Sequence, residues 1–138
     1  MIVYVDSSVA LRLILGQPGR LKEWKRVKRG VASQLVEVEC LRTLDCLRLR
    51  EVVRIADFAR QREAVFSLLD EIDLIEPGGP ILTRASEPFP VPLGTLDAIH
   101  LATALVWRER EAMDLVMETH DEALARAARA CGMPAVGV

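Results

Sequence analysis

Aromatic residues make up only 4% of this 138-residue chain. Proteins that grip single-stranded nucleic acid by stacking its bases need a platform of aromatic faces. The scarcity of aromatics argues against that mode. Cysteine is also sparse. Cys40, Cys46 and Cys131 are odd in number and none stands in CxxC spacing, so neither a disulfide framework nor a zinc site is indicated. Reduced thiols in an intracellular protein are the expectation. No apolar run reaches the roughly 18 residues that a membrane span needs. The opening MIVYVDSSVA has no basic n-region and soon meets Asp6; it does not read as a signal peptide, and a cytoplasmic protein without a membrane partner is expected. There is no Gly-rich phosphate loop and no GxSxG, which removes several common enzyme classes.

What is present is an ordinary globular composition, 51% hydrophobic and 28% charged. The length suits one domain over 1–138. The net charge of −2 is unevenly spread: residues 1–62 hold 13 Lys and Arg against 7 Asp and Glu, and residues 63–138 hold 5 against 13. The densest basic stretch, 20–29, reads as a helix stopped by Gly30, and a solvated face is favoured there over an RNA-steering patch.

The apolar run Ile2–Val5 predicts a strand, and Asp6-Ser7-Ser8 offers caps for a helix over Val9–Leu15. Gln17-Pro18-Gly19 breaks that helix. Val31–Ser33 is a short strand candidate. Ser33 opens a helix to about Arg48, and Glu51–Leu69 forms another. Ile72–Ile75 reads as a strand and Ile81–Ser86 as a short helix. Pro88, Pro90 and Pro92 make 88–94 an extended loop, since each fixes φ and lacks a donor. Thr95 caps a buried helix to Trp107. Leu115–Met117 is a strand, Asp121–Ala130 a helix and Ala135–Val138 a last strand. Short apolar strands alternating with helices imply an α/β fold, with a mainly parallel sheet of about four or five strands.

Acids sit at four suggestive places, and each place has a plain structural alternative. Asp6 follows a strand, where an N-cap is the simple role. Glu37 and Glu39 point to different faces of one helix, and spacing does not choose between them; Glu39 is placed as an i,i+3 partner for Arg42. Asp97 in the first turn of its helix suits the dipole. His100, one turn on, reads as a satisfied core residue, with a hydrogen bond to an acid as the alternative. Thr119-His-Asp-Glu122 fits a capping box that would make Asp121 incidental. Taken together, Asp6 and Asp121 follow strands at their carboxyl ends, where open parallel sheets bind ligands. Converging carboxylates raise each other's pKa unless a cation sits among them, and all-oxygen ligation suits Mg²⁺ or Mn²⁺ rather than zinc. An aspartate-based phosphotransfer domain would want an acid where Ser8 stands and a lysine near the last strands, and no lysine follows Lys28. A non-catalytic binding module is the other rival.

Four blocks carry a family resemblance: VYVDSSVALRLIL at 3–15, VASQLVEVECLRTL at 31–44, EPFPVPLGTLDAIHLATAL at 87–105 and METHDEALARAARACGMPAV at 117–136. The third is the most specific. With these blocks the chain resembles PIN-domain proteins, in particular VapC-type toxins of type II toxin–antitoxin pairs. The resemblance implies a PIN-domain fold with helices on both faces of the sheet, homodimers, and Mg²⁺-dependent endonucleolytic hydrolysis of RNA. It also implies inhibition by a cognate antitoxin whose C-terminal segment covers the site, often with an Arg among the carboxylates. The family's acids fall on Asp6, Glu39, Asp97 and Asp121, which selects Glu39 over Glu37. The expected chemistry has Asp6, Asp97 and Asp121 binding metal and Glu39 orienting water. Ser8 and Thr119 support them by positioning waters. For Arg42 two roles stay open, pairing with Glu39 or contacting phosphate. A PIN nuclease of RNA processing or decay without an antitoxin is the alternative within the family.

Overall fold

The computed structural model describes residues 1–16 and 26–138. Strand β1, Ile2–Val5, is the expected apolar run. Helix α1, Ser7–Leu15, starts on the Asp6 cap and stops at Gly16, whose φ of 63° is the left-handed conformation that glycine adopts without strain. The predicted break at Gln17-Pro18-Gly19 lies outside the described residues, as does most of the predicted basic helix 20–29.

Arg29 and Gly30 belong to strand β2, Arg29–Ser33, so Gly30 is not a helix stop. It is paired on both sides, with Val3 and with Ile72. A Cβ built there would lie 3.2 Å from Ile72 Cγ1, so the glycine fits the close packing of that neighbour. Sheet pairing overrides the local stop signal.

Helix α2 is Leu35–Leu49 and α3 is Ile55–Asp70. The second begins four residues later than its apolar spacing suggests. Val52 donates its N–H back to the Leu47 carbonyl, and Glu51 takes a left-handed φ of 57°, so the α2 terminus occupies this stretch. Strand β3, Ile72–Ile75, and helix α4, Gly79–Ser86, follow. After the proline loop comes α5, Thr95–Glu111. Its N-cap is Gly94 and no side chain caps it, so Thr95 is the first helical residue rather than the cap. Strand β4, Val116–Glu118, helix α6, Glu122–Ala130, and strand β5, Ala135–Val136, complete the chain.

Among the described residues five strands lie in the order β3-β2-β1-β4-β5 and every pairing is parallel. Successive strand residues point to opposite faces, and two core clusters result. Val3, Val5 and Ala32 pack with Val9, Val36, Leu44 and Val65 of α1, α2 and α3. Tyr4, Val31 and Met117 pack with Leu101, Leu105, Leu124 and Ala128 of α5 and α6. Helices therefore cover both faces. Among the described residues no helix is long and apolar enough to cross a membrane. The chain winds outward from β1 through β2 to β3, then returns to the other side of β1 with β4. The strand order thus reverses at β1, and the crevice expected at such a reversal opens beyond the carboxyl ends of β1 and β4.

Candidate active site

Asp6 stands at the end of β1 and is almost fully buried, at 5% exposure. It is indeed an N-cap: its Oδ1 accepts the Val9 N–H at 3.2 Å and the Ser8 hydroxyl at 2.6 Å. Capping occupies only one oxygen. The other, Oδ2, accepts the hydroxyl of Thr119 at 2.7 Å, from the residue after β4. Ser8 Oγ in turn accepts the His120 N–H at 2.9 Å. The hydroxyl protons of Ser8 and Thr119 are thus committed to Asp6, and both residues lock the ends of β1 and β4 together.

Asp121, not Thr119, is the N-cap of α6; its Oδ1 accepts the Leu124 N–H at 3.0 Å. Thr119 Oγ1 instead accepts the Asp121 N–H at 3.0 Å while donating to Asp6. One threonine therefore connects two of the acids. Gly137 of the C-terminal segment lies against this loop. Its carbonyl is 2.7 Å from His120 Nδ1, and a Cβ on it would sit 2.4 Å from the Thr119 carbonyl oxygen.

Glu39 is held by side chains the spacing did not favour. Its Oε2 accepts the Ser7 hydroxyl at 3.2 Å, and its Oε1 lies 2.5 Å from His100 Nε2. Arg42 does not pair with it. That guanidinium, 64% exposed, pairs with Asp45 at 2.9 Å, so the structure does not bring Arg42 into the site. His100 is both core residue and acid partner: it is buried, and its Nδ1 is 2.8 Å from the Tyr4 hydroxyl. Sequence reasoning misses Ser7, which donates to Glu39, and Tyr4, which reaches that acid only through His100. The signal for them is their place around Asp6, Tyr4 two before it in the buried strand and Ser7 next to it at the start of α1.

Asp97 is half-buried in the first turn of α5. Burial raises its carboxyl above the usual range; the charges of Asp121, Asp6 and Glu39 push the same way, and His100 opposes them. Asp97 therefore feels the charges of the other three acids, at the crevice where the strand order reverses. Cys40 offers no soft ligand beside them: burial and the charges of Glu39 and Asp6 push its thiol up to about 12, and the thiolate is the ligating form. Among the described residues no three His, Cys, Asp or Glu side chains are gathered tightly enough to hold an ion by themselves.

The family model described as the PIN domain matches residues 3–130. The chain is 30% identical to "Ribonuclease VapC46" of Mycobacterium tuberculosis (strain ATCC 25618 / H37Rv) over 97% of its own length and 95% of that protein's. It is 31% identical to "Ribonuclease VapC47" of Mycobacterium tuberculosis (strain CDC 1551 / Oshkosh) over 74% of each. Two solved structures share the fold at low identity. A toxin–antitoxin complex from Klebsiella pneumoniae superposes with a TM-score of 0.65 at 17% identity, covering 99% of this chain and 97% of that one. VapBC2 from Rickettsia felis, bound to a DNA fragment from its promoter, gives 0.68 at 9%, covering 99% and 98%. The parallel sheet, the helices on both faces and the matching family model lead to one assignment: the chain belongs to the PIN-domain family and is of the VapC type.

Proposed function

We propose that this protein is a metal-dependent endoribonuclease that hydrolyses RNA phosphodiester bonds at Asp6, Glu39, Asp97 and Asp121. The observation that carries the reading is that Thr119 ties Asp6 to the Asp121 turn at the ends of β1 and β4, beside an Asp97 whose carboxyl is raised by burial and by the charges of Asp121, Asp6 and Glu39. Such repulsion is relieved by a cation. The oxygen-only donors suit Mg²⁺ or Mn²⁺. Mg²⁺ keeps several waters and takes one or two carboxylates directly, so it does not require three acids in contact. Asp6, Asp97 and Asp121 would hold it, directly or through water. The ion would lower the pKa of a bound water and neutralise charge on the phosphate. Asp6, fixed at both oxygens, supplies a rigid anchor, and Glu39 orients the attacking water. Arg42, outside the cluster, is left for phosphate contact.

The reading extends to a toxin paired with a small antitoxin. The curated relatives are named ribonucleases of the VapC series, and the solved neighbours include toxin–antitoxin complexes. A negative crevice is complementary to a basic or Arg-bearing segment. We further assign residues 1–138 to one PIN domain acting as a cytoplasmic homodimer. Incubation of the purified protein with bulk cellular RNA, in Mg²⁺, in Mn²⁺ and in EDTA, tests the activity: cleavage with either metal and none in EDTA is expected. RNA binding without cleavage in any buffer would make it a binding module instead.

A further inference from the structure

Glu39 differs from the other three acids in its placement. Asp6 and Asp121 are helix caps and Asp97 is in a first turn, whereas Glu39 lies beyond the first turn of α2. No helix terminus orients it. Its carboxylate is instead clamped from two other helices, by Ser7 of α1 and by His100 of α5.

The proton positions on this clamp follow from the partners. Ser7 donates to one oxygen of Glu39. A bare Nε2 on His100 would set a lone pair against the other carboxylate oxygen 2.5 Å away, so Nε2 carries the proton. In the tautomer protonated at Nε2 alone, Nδ1 is an acceptor. The Tyr4 hydroxyl beside it already accepts the Ser33 N–H at 3.1 Å, and its own proton is free for Nδ1. The backbone of β2 thus orients Tyr4, Tyr4 orients the imidazole, and the imidazole orients Glu39. His100 and Asp97 are three residues apart on α5 and share a face of that helix, so the clamp also sets Glu39 relative to Asp97.

We infer that His100, fixed by Tyr4, is a positioning residue that holds Glu39 in line to orient the attacking water. The inference rests on the ribonuclease reading above. A merely structural His100 would fill the same space without needing a donor at Nε2, and two substitutions separate these roles. The amide nitrogen of Gln reaches the place of Nε2, whereas that of Asn reaches only the place of Nδ1.

With bulk cellular RNA and Mn²⁺, kcat is expected to fall about 10–100-fold in His100→Asn, with KM little changed, and to be largely restored in His100→Gln. Thermal melting of each variant establishes that it is folded. A readout independent of cleavage is the ¹⁵N spectrum of the imidazole. Nε2 should be protonated and Nδ1 not, and the Nε2 proton should shift upfield in Glu39→Gln as a charged acceptor becomes neutral. Equal kcat in folded His100→Asn and His100→Gln overturns the inference. So does an Nε2 proton indifferent to Glu39→Gln. If the wild type cleaves no RNA with any metal, the ribonuclease reading fails and the catalytic part of the inference falls with it; the nitrogen spectrum then still tests the pairing alone.

Discussion

Thr119 donates its hydroxyl to Asp6 Oδ2 at 2.7 Å across 113 positions of sequence, and with the His120 N–H bond to Ser8 it joins the carboxyl ends of β1 and β4 at the acid cluster. Thr119 and Asp6 are buried, and the Thr119 hydroxyl also accepts the Asp121 N–H. Removing it leaves one oxygen of a buried acid and one backbone donor without this partner. Thr119→Val, which keeps the shape, is expected to cost about 1.5–3 kcal/mol, the range for a hydrogen bond to a charged group. Thr119→Ser should retain most of the stability. Urea unfolding of the three proteins decides; equal midpoints for Val and wild type would mean that the contact contributes nothing.

Asp97 gives a prediction in pH. Its carboxyl is raised in the folded protein, so folding binds a proton there. Its contribution to stability is most favourable below the unfolded-state value. That contribution declines as pH rises through the unfolded and then the folded pKa, and is level above both. At neutral pH, Asp97→Asn removes that penalty and loses a helix-dipole contact of about 0.3–1 kcal/mol. Without metal the variant should be at least as stable as wild type at pH 7, and this advantage should shrink in acid. Melting curves with EDTA from pH 4 to 8 check this. A variant far less stable than wild type at pH 7 would make Asp97 a structural residue.

Gly137 tests the support beneath the β4 loop. Its φ is +99° and a Cβ would press on the Thr119 carbonyl. Gly137→Ala should destabilise the fold by about 1–3 kcal/mol and reduce cleavage, because Thr119 and His120 must shift. Gly79, with open space around it at the start of α4, is the control: Gly79→Ala should be neutral or stabilising by up to about 1 kcal/mol.

Arg42 is exposed and paired with Asp45. Arg42→Ala is therefore expected to leave metal affinity and melting near wild type. If its role is phosphate contact, KM for RNA rises while kcat is kept. A loss of metal affinity would place it nearer the acids than its pairing allows.

Much of this arrangement was legible because strand ends and helix caps are local signals. The run Ile2–Val5, the loop at 88–94 and the turn before α6 all lie where their residue types put them. What was not legible depended on partners far along the chain. Thr119 and Asp121 are both good caps two positions apart, and only the demand of Asp6 for a donor removes Thr119 from that role. Arg42 is correctly spaced from Glu39, yet Asp45 is equally well spaced on its other side, and Glu39 is turned toward Ser7 and His100. The histidine was visible as a core residue with an acid as one possible partner; which acid, and that Tyr4 held the other nitrogen, required β1 and α5 to be packed together.

The most direct test of the acid cluster as a metal-dependent nuclease is one paired measurement on wild type and Asp97→Asn. Mn²⁺ is titrated into each protein by calorimetry, and cleavage of bulk cellular RNA is followed in the same samples. The account predicts Mn²⁺ binding and cleavage in the wild type, with both sharply weakened in a folded Asp97→Asn. Undiminished Mn²⁺ affinity and cleavage in the variant would contradict it.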